Sequence, residues 1–306
     1  MKVFILTKKR LAVLTAVFTV LIGAGISGIN RTAIQVNAGE RHIPIYCVET
    51  DKKQVSLSFD AAWGNDETPK LLDILSKYNV KSTFFLVGDW VRQYPDDVKT
   101  ISAAGPAIGN HSDTHPYMTK LTGDDMHSEV EICNNEVKKL TGKNPTLFRP
   151  PYGDYDNNVV DCVNSMGMYC VQWSIDSLDW QDPSPAEILE KVKSNLAPGA
   201  IILMHNGAKN TPEALPQVIE YIKSQGYEIV PISQLLPKGK YHTDHTGMMI
   251  CDEAESSNSS ETAVPTAADI TSSIMESTDT TVSSKSSEKY TGLAKELYDQ
   301  TNSHKK

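Results

Sequence analysis

The sequence predicts an α/β fold in which the strands of a parallel sheet alternate with helices. The main observation is a regular alternation, between Ile43 and Leu236, of short β-prone runs with segments of helical periodicity. A second observation is that polar and titratable residues recur just after these strands. Single helices between successive strands imply right-handed crossovers and a parallel sheet, which either closes into a barrel or stays open.

Seven strand–helix units account for the alternation. The strands are expected at Val55–Phe59, Ser82–Val87, Ala107–Gly109, Leu147–Arg149, Met168–Trp173, Ala200–Met204 and Glu228–Val230. The helices are expected at Pro69–Tyr78, Pro95–Ala103, His127–Leu140, Asn157–Met166, Pro185–Leu196, Pro212–Gln225 and, as a short segment, near Gln234. In a closed or an open sheet of this kind, functional groups are expected at the carboxyl ends of the strands.

The composition excludes some classes of function. The chain of 306 residues carries a formal net charge of -9, and a general nucleic-acid binder would need a basic face instead. Its five cysteines include no CxxC pair, which argues against a thiolate zinc site or a thioredoxin-like motif. A hydrophobic content of 40% is enough to build a core.

The N-terminus is typical of a membrane-targeting segment. Four cations precede an uncharged apolar run from Leu11 to about Ile29. Residues 1–38 are therefore expected to be either a signal peptide or an N-terminal membrane anchor, and Val36-Asn37-Ala38 favours cleavage. The rest of the chain is then extracytoplasmic, either secreted or held at the outer face of the cell membrane, and it contacts the membrane through this segment if the segment is uncleaved.

The C-terminal part differs in composition from the regular region. After Pro237 the chain becomes rich in Ser and Thr, with almost no large apolar residues over 252–289. We therefore expect a folded domain over residues 43–237 and a largely disordered tail over residues 238–306.

Asp60 is the first candidate for chemistry. It ends a β-prone run and is followed by small residues, which is how a buried strand delivers a carboxylate to a loop. By itself, an Asp in this position is more often a turn former or a helix cap. Its interpretation depends on the residues at the ends of the other strands.

Two further strand ends carry residues suited to a site. His111 and His115 are four residues apart, a spacing at which two imidazoles can share a divalent metal. Arg149 precedes two prolines, which hold its backbone extended, and its guanidinium is suited to binding a carboxylate with two hydrogen bonds.

Five strand-end motifs together resemble the polysaccharide deacetylase family, the NodB-homology carbohydrate esterases of family 4. In the order of the family's motifs, they are Ser58–Ala62, His111–His115, Arg149–Gly153, Asp176–Trp180 and Leu203–His205. The resemblance covers roughly residues 43–237. The form of the first motif, Phe-Asp-x-x-Trp-Gly-Asn, resembles a subgroup associated with sporulation in Gram-positive bacteria.

This resemblance implies a fold and a function. The fold is a distorted seven-unit (β/α) barrel of the NodB-homology type. The function is a metal-dependent removal of N-acetyl groups from a cell-wall polysaccharide, such as peptidoglycan or spore cortex. The implied metal is a divalent ion, zinc in the first place with cobalt or manganese as alternatives, held by His111 and His115.

The resemblance also implies roles for single residues. Asp60 is the general base, and Arg149 holds it in place and keeps it ionised. His205 protonates the departing amine, and Asp179 orients it and raises its pKa. The substrate-binding residues are Tyr152, through its backbone N–H, and the pair Trp180 and Leu203, which line the pocket for the acetyl methyl group.

Ala61 departs from the family's pattern. In most of the family, the second acid of the first motif is a metal ligand, and here that position is alanine. Water or another acid such as Asp66 would have to complete the metal's shell, and Asp113 is less suited to do so. The substitution puts activity in question more than fold.

Two alternatives to the deacetylase therefore stay open. One is a catalytically weak or inactive domain that binds glycan strands, which Ala61 favours, whereas the presence of Asp60 and His205 favours an enzyme. The other is an O-acetyl esterase that acts on xylan or a similar glycan, and the motifs do not distinguish an amide from an ester. In each case the expected partner is a polysaccharide and no nucleic acid.

Overall fold

A computed structural model of the chain describes residues 41–252. The predicted targeting segment and most of the predicted tail therefore lie outside the described residues. Within the described range no helix is long and apolar enough to cross a membrane.

The described strands form two sheets. In chain order they are β1 (Cys47–Val48), β2 (Gln54–Ala61), β3 (Thr83–Leu86), β4 (Ala107–Asn110), β5 (Leu147–Phe148), β6 (Tyr169–Cys170), β7 (Ile175–Asp176), β8 (Ile201–His205), β9 (Glu228–Ile229), β10 (Tyr241–Thr243) and β11 (Met248–Cys251). The larger sheet has the order β6-β5-β4-β3-β2-β8-β7, and β9 adds to β2. Every pairing in it is parallel.

The helices lie between these strands. They are α1 (Thr68–Lys77), α2 (Gly88–Gln93), α3 (Pro95–Ala104), α4 (Gly123–Thr141), α5 (Asn157–Ser165), α6 (Pro185–Asn195), α7 (Thr211–Ser224) and α8 (Ile232–Leu235). Each predicted strand and helix overlaps one of these elements. The predicted α/β barrel is confirmed, while β1, β7, β10, β11 and α2 were not predicted.

The segment 169–176 lets the sheet curl into a distorted barrel. Its first half pairs with β5 through Tyr169 and Cys170, and its second half pairs with β8 through Ile175 and Asp176. The chain thus passes from one end of the strand order to the other in a few residues. The carboxyl ends of all these strands consequently face one common opening.

Strand β2 occupies the centre of the sheet, and its side chains are buried from Val55 to Ala61. Phe59 stacks on Phe84 of β3 with ring centroids 5.0 Å apart. The two buried serines of β2 satisfy their hydroxyls on neighbouring carbonyls, Ser56 on Val230 at 2.7 Å and Ser58 on Ile202 at 2.8 Å. A central strand so enclosed fixes the position of the residues at its end.

Local sequence signals explain where the helices begin. Ser184 caps α6 in a capping box with Glu187, and Pro185 occupies the first turn. Thr122 caps α4 by accepting a hydrogen bond from the Asp125 N–H. These caps satisfy N–H groups that a helix leaves without partners at its start.

The folded region extends beyond the predicted domain end at residue 237. Strands β10 and β11 follow it, and β11 pairs in parallel with β1 near the start of the described range. Met249 of β11 is fully buried in a core cluster with Ile45, Val48 and Val171. The predicted tail therefore begins too early, because this strand covers apolar surface that the barrel exposes next to β1.

Candidate active site

The residues that the sequence singled out meet at the carboxyl ends of the strands. Asp60 lies at the end of β2, His205 ends β8, and Arg149 directly follows β5. His111 and His115 lie in the loop after β4, and Asp179 begins a 3-10 turn after β7. The topology thus gathers them around one opening, and their chemical roles stay predictions.

Asp60 and Arg149 form a buried ion pair. The Arg149 Nη1 donates to Asp60 Oδ1 at 2.6 Å, and the Arg149 side chain is fully buried. Its Nη2 donates to Ser58 Oγ at 2.9 Å and to the Gln172 carbonyl at 3.1 Å. The guanidinium also lies 4.1 Å from the centre of the Phe85 ring. Arg149 is therefore held from several sides and presents one fixed donor to Asp60.

This environment keeps Asp60 ionised. Burial acts to raise the pKa of Asp60, but the charge of Arg149, the nearby imidazoles of His111 and His205 and the Arg149 hydrogen bond lower it below its ordinary value. A carboxylate that stays ionised in a buried position can accept a proton from a bound water. The arrangement fits the predicted general base.

His111 presents one nitrogen to this carboxylate. Its Nδ1 lies 2.7 Å from the Arg149 carbonyl oxygen, which can only accept, so Nδ1 carries the hydrogen. The Nε2 lone pair then faces Asp60 Oδ2 at 3.4 Å. Burial has the largest effect on the pKa of His111 and lowers it below its ordinary value, so the ring is neutral at neutral pH. This is the orientation that metal-ligating histidines adopt when a carbonyl fixes their tautomer.

His115 lies beside His111 with ring centroids 4.9 Å apart. Burial and the neighbouring His111 lower the pKa of His115 to about 4. Both imidazoles are therefore neutral and available as ligands at neutral pH.

The loop that carries both histidines is held by a residue that sequence reasoning missed. Glu129 on α4 accepts hydrogen bonds from the backbone N–H of Asp113 at 2.9 Å and from that of Thr114 at 2.8 Å. It also accepts from the Thr114 hydroxyl at 2.7 Å. These contacts stabilise a loop in which His115 has a φ of 61°, a left-handed backbone that needs such support.

His205 and Asp179 form a second dyad across the opening. His205 Nδ1 donates to Asp179 Oδ1 at 2.7 Å, and the His205 backbone N–H donates to Asp179 Oδ2 at 2.8 Å. Thr211 Oγ1 adds a third hydrogen bond to Asp179 at 2.6 Å. Burial acts to lower the pKa of His205, but the hydrogen bond and charge of Asp179, with Asp60 and Asp176, raise it above its ordinary value. The imidazole is thus suited to carry a proton and give it away.

Of the predicted substrate-binding residues, Tyr152 and Trp180 lie in turns that follow strands, and Leu203 lies within a strand. Tyr152 has a left-handed backbone, and no described group accepts a hydrogen bond from its N–H. Trp180 is exposed, whereas Leu203 is buried within β8. Trp63, not singled out for binding from the sequence, places its ring 5.1 Å from that of His205.

The donor set for a metal is incomplete. A catalytic zinc site takes three protein ligands and leaves one position open. Within residues 41–252 no group of three or more His, Cys, Asp or Glu side chains is arranged to hold a metal ion. Ala61 is fully buried at the end of β2, and the exposed Asp66 does not complete a set. Asp113 binds Arg92 at 2.6 Å instead. His111 and His115 alone do not fit a complete catalytic site, and the divalent metal stays a prediction for this chain.

Comparison with known proteins finds a matching family and similar proteins, independently of the geometry of the site. The family model for polysaccharide deacetylase matches residues 48–171. The peptidoglycan-N-acetylmuramic acid deacetylase PdaA of Bacillus subtilis is 35% identical over 201 residues, which are 64% of this chain and 76% of PdaA. The B. subtilis protein YlxY is 38% identical over 193 residues, which are 63% of this chain and 60% of YlxY, less than two thirds of that relative.

Solved structures are similar as well. The crystal structure of BA3943, described as a CE4 family pseudoenzyme from Bacillus anthracis, has a TM-score of 0.62 and 38% identity and covers 64% of this chain and 69% of that chain. A mutant of BA3943 described as having restored enzymatic activity has a TM-score of 0.62 and 39% identity and covers 64% and 71% of the two chains.

Proposed function

Because the chain belongs to the polysaccharide deacetylase family, we propose that its strand-end site binds N-acetylated strands of peptidoglycan and deacetylates them only weakly. The observation that carries this proposal is a complete set of acid–base groups around an incomplete metal site. Asp60 with Arg149 and His205 with Asp179 are in place, while Ala61 stands at the position of a carboxylate ligand.

The acid–base groups define what the site can do with an acetamide. Asp60 accepts a proton from the attacking water. The N–H of Tyr152 is available to the oxygen on which negative charge develops. His205 transfers its proton to the leaving amine, and Asp179 holds the imidazole in the orientation that this step needs.

The two-histidine donor set is the reason for expecting weak hydrolysis. Members of this family generally depend on a divalent metal, and affinity for such an ion falls when a ligand is lost. The similarity to the pseudoenzyme BA3943 supports the same view. Binding is assigned in this proposal to the exposed aromatic side chains of the opening, Tyr152 and Trp180, which can contact a glycan directly.

The proposal extends to the place of action. A peptidoglycan strand or the spore cortex lies outside the cytoplasm, in agreement with the targeting segment expected over residues 1–38. We therefore place the domain outside the cell membrane, either released or anchored.

Cosedimentation of the full chain with purified peptidoglycan tests the binding. We expect the protein to pellet with N-acetylated material and to pellet less with the same material after chemical de-N-acetylation. Equal recovery with both would contradict recognition of N-acetylated strands.

A second candidate is a fully active de-N-acetylase. His111 Nε2 and Asp60 Oδ2 favour this candidate, because both atoms carry lone pairs and lie only 3.4 Å apart. A cation held between these two atoms and His115 would relieve the repulsion between the lone pairs. Acetate release from peptidoglycan with zinc, cobalt or manganese supplied decides between the candidates. Turnover equal to that of PdaA under the same conditions would favour the active enzyme.

A further inference from the structure

A groove of about 630 Å³ lies at the end of the barrel opposite the candidate site. Its lining includes Lys81, just before β3, Ala107 at the start of β4 and Leu147 at the start of β5. Neighbouring parallel strands begin at the same edge of a sheet, so the groove lies at the amino ends of the strands. The candidate site lies at their carboxyl ends.

The groove is positively charged, although the whole chain has a formal net charge of -9. Its lining includes Lys81, Lys143 and Lys238, and no Asp or Glu of the described residues lines it. The described lysines that form ion pairs with acids lie elsewhere, at Lys70, Lys99 and Lys139. A cleft lined by one sign of charge attracts ligands of the opposite sign. The three lining ammonium groups are thus available to an anionic ligand.

The rest of the lining favours a peptide as this ligand. Part of it is buried and apolar, including Val137, Leu147 and Leu236. Helices α3 and α4 end beside the groove, at Ala104 and Thr141, and the last carbonyl groups of a helix have no partner within that helix. An acidic peptide has N–H groups that can donate to such carbonyls and carboxylates that pair with ammonium groups.

The described part of the chain ends beside this groove. The Asp252 N–H donates to the Lys240 carbonyl at 2.9 Å, and Cys251 Sγ lies 3.9 Å from the carbonyl oxygen of Lys238, one of the lining lysines. The next residues, 253–261, read Glu-Ala-Glu-Ser-Ser-Asn-Ser-Ser-Glu and carry three carboxylates and no cation. A fully extended segment of this length reaches about 30 Å, which is long enough to follow a groove of this size.

We propose that the acidic segment 253–261 binds in the groove of its own chain, with its carboxylates beside Lys81, Lys143 and Lys238. A short tether gives an effective concentration in the millimolar range, so ion pairs that are weak individually are sufficient. The bound segment lies at the end of the barrel away from the opening and leaves the candidate site free. The inference therefore goes beyond the proposed function and does not depend on it.

Cross-linking of the full chain with a carbodiimide tests the inference. This reagent adds no spacer, and it joins a carboxylate and an amine as an amide only where the two groups meet. Mass spectrometry should show links from Glu261 to Lys81 and Lys143 more often than to Lys191, an exposed lysine on α6. In about 1 M salt, where the Debye length is about 3 Å, the links to the groove should become several-fold rarer.

A variant of the groove tests whether its charges hold the segment. Lys81→Gln with Lys143→Gln removes two cations and keeps Lys238 as a reporter. We expect the link from Glu261 to Lys238 to become several-fold rarer in this variant, because the segment binds less. Lys191→Gln is the matched control and should leave that link unchanged. Thermal unfolding of each variant identifies any change that comes from misfolding.

Three results would overturn the inference. The first is a frequency of links at Lys81 and Lys143 no higher than at Lys191. The second is an unchanged link from Glu261 to Lys238 in the double variant. The third comes from mixing isotope-labelled and unlabelled chains, since links that join the two kinds of chain would assign the groove to a second copy. Peptidoglycan binding is measured separately by cosedimentation, so failure of one proposal leaves the other standing.

Discussion

Arg149 and Asp60 are 89 residues apart in the sequence and meet at 2.6 Å in the buried interior of the barrel. The pair joins the loop after β5 to the end of β2. Because Arg149 also binds His111 through its carbonyl oxygen, at 2.7 Å, the same residue orients the carboxylate and one imidazole. The site is therefore part of the barrel's buried polar network.

Removing one partner of this pair should destabilise the fold. Arg149→Met leaves the Asp60 carboxylate buried without its main partner, which typically costs about 3–5 kcal/mol of unfolding free energy. Urea unfolding of the full chain measures this cost. The double variant Arg149→Met with Asp60→Asn removes both charges and should recover part of the loss. Equal stability of the single and double variants would contradict a coupled pair.

The same pair predicts a dependence of stability on pH. The pKa of Asp60 is lower in the folded chain than the roughly 3.9 of an unfolded Asp. Its contribution to the free energy of unfolding is therefore present above about pH 4 and is lost as the pH falls through the folded-state pKa. Between pH 7 and about pH 3, the free energy of unfolding measured with urea should fall less for Asp60→Asn than for the unmodified chain. An equal fall in the two proteins would indicate that other groups govern acid unfolding.

Asp179 should control the protonation of His205. Asp179→Asn keeps the shape of the side chain and removes the charge, so we expect the pKa of His205 to fall. Titration of the imidazole protons by NMR measures the change directly. Asp182→Asn, a nearby exposed substitution in the same loop, is the control. An unchanged His205 titration in Asp179→Asn would rule out the assigned role.

Glu129 should hold the histidine loop in place. Its carboxylate accepts hydrogen bonds from Asp113 and Thr114, and a hydrogen bond to a charged group is worth about 1.5–3 kcal/mol. Glu129→Ala should therefore speed hydrogen–deuterium exchange at the amides of Asp113 and Thr114. Glu131→Ala, on the same helix and exposed, should leave these amides unchanged. Equal exchange in the two variants would mean that the loop is ordered by other contacts.

Much of the fold could be predicted because strand and helix periods alternate cleanly over residues 43–237. The missed elements gave weak signals. Strand β7 has only two residues, Ile175 and Asp176, and is created by pairing with β8. Strand β11 is a short apolar run, Met248–Cys251, that precedes a polar region, and its burial depends on β1 from the other end of the domain.

The candidate site likewise contains residues that could be predicted from the sequence and residues that could not. Asp60, Arg149 and His205 lie at or directly after the ends of strands, so the topology alone brings them to one edge. Glu129 lies on a polar helix, where its sequence signal is that of any solvated acid, and only the fold places it under the histidine loop. Trp63 lies beside His205, and nothing in the sequence signalled this position, because exposure of an aromatic ring is decided by tertiary structure.

Under the proposed function, the alanine at position 61, where most of the family has a carboxylate ligand, limits hydrolysis. Acetate release from N-acetylated peptidoglycan is compared between the unmodified chain and Ala61→Asp, with zinc or cobalt supplied and Ala61→Asn as a control of similar shape. We expect Ala61→Asp to release acetate at least about tenfold faster than the other two proteins, since a single outer-shell partner already changes metal affinity or activity by about 10–100-fold. Equal rates for all three folded proteins would show that the residue at position 61 does not limit hydrolysis.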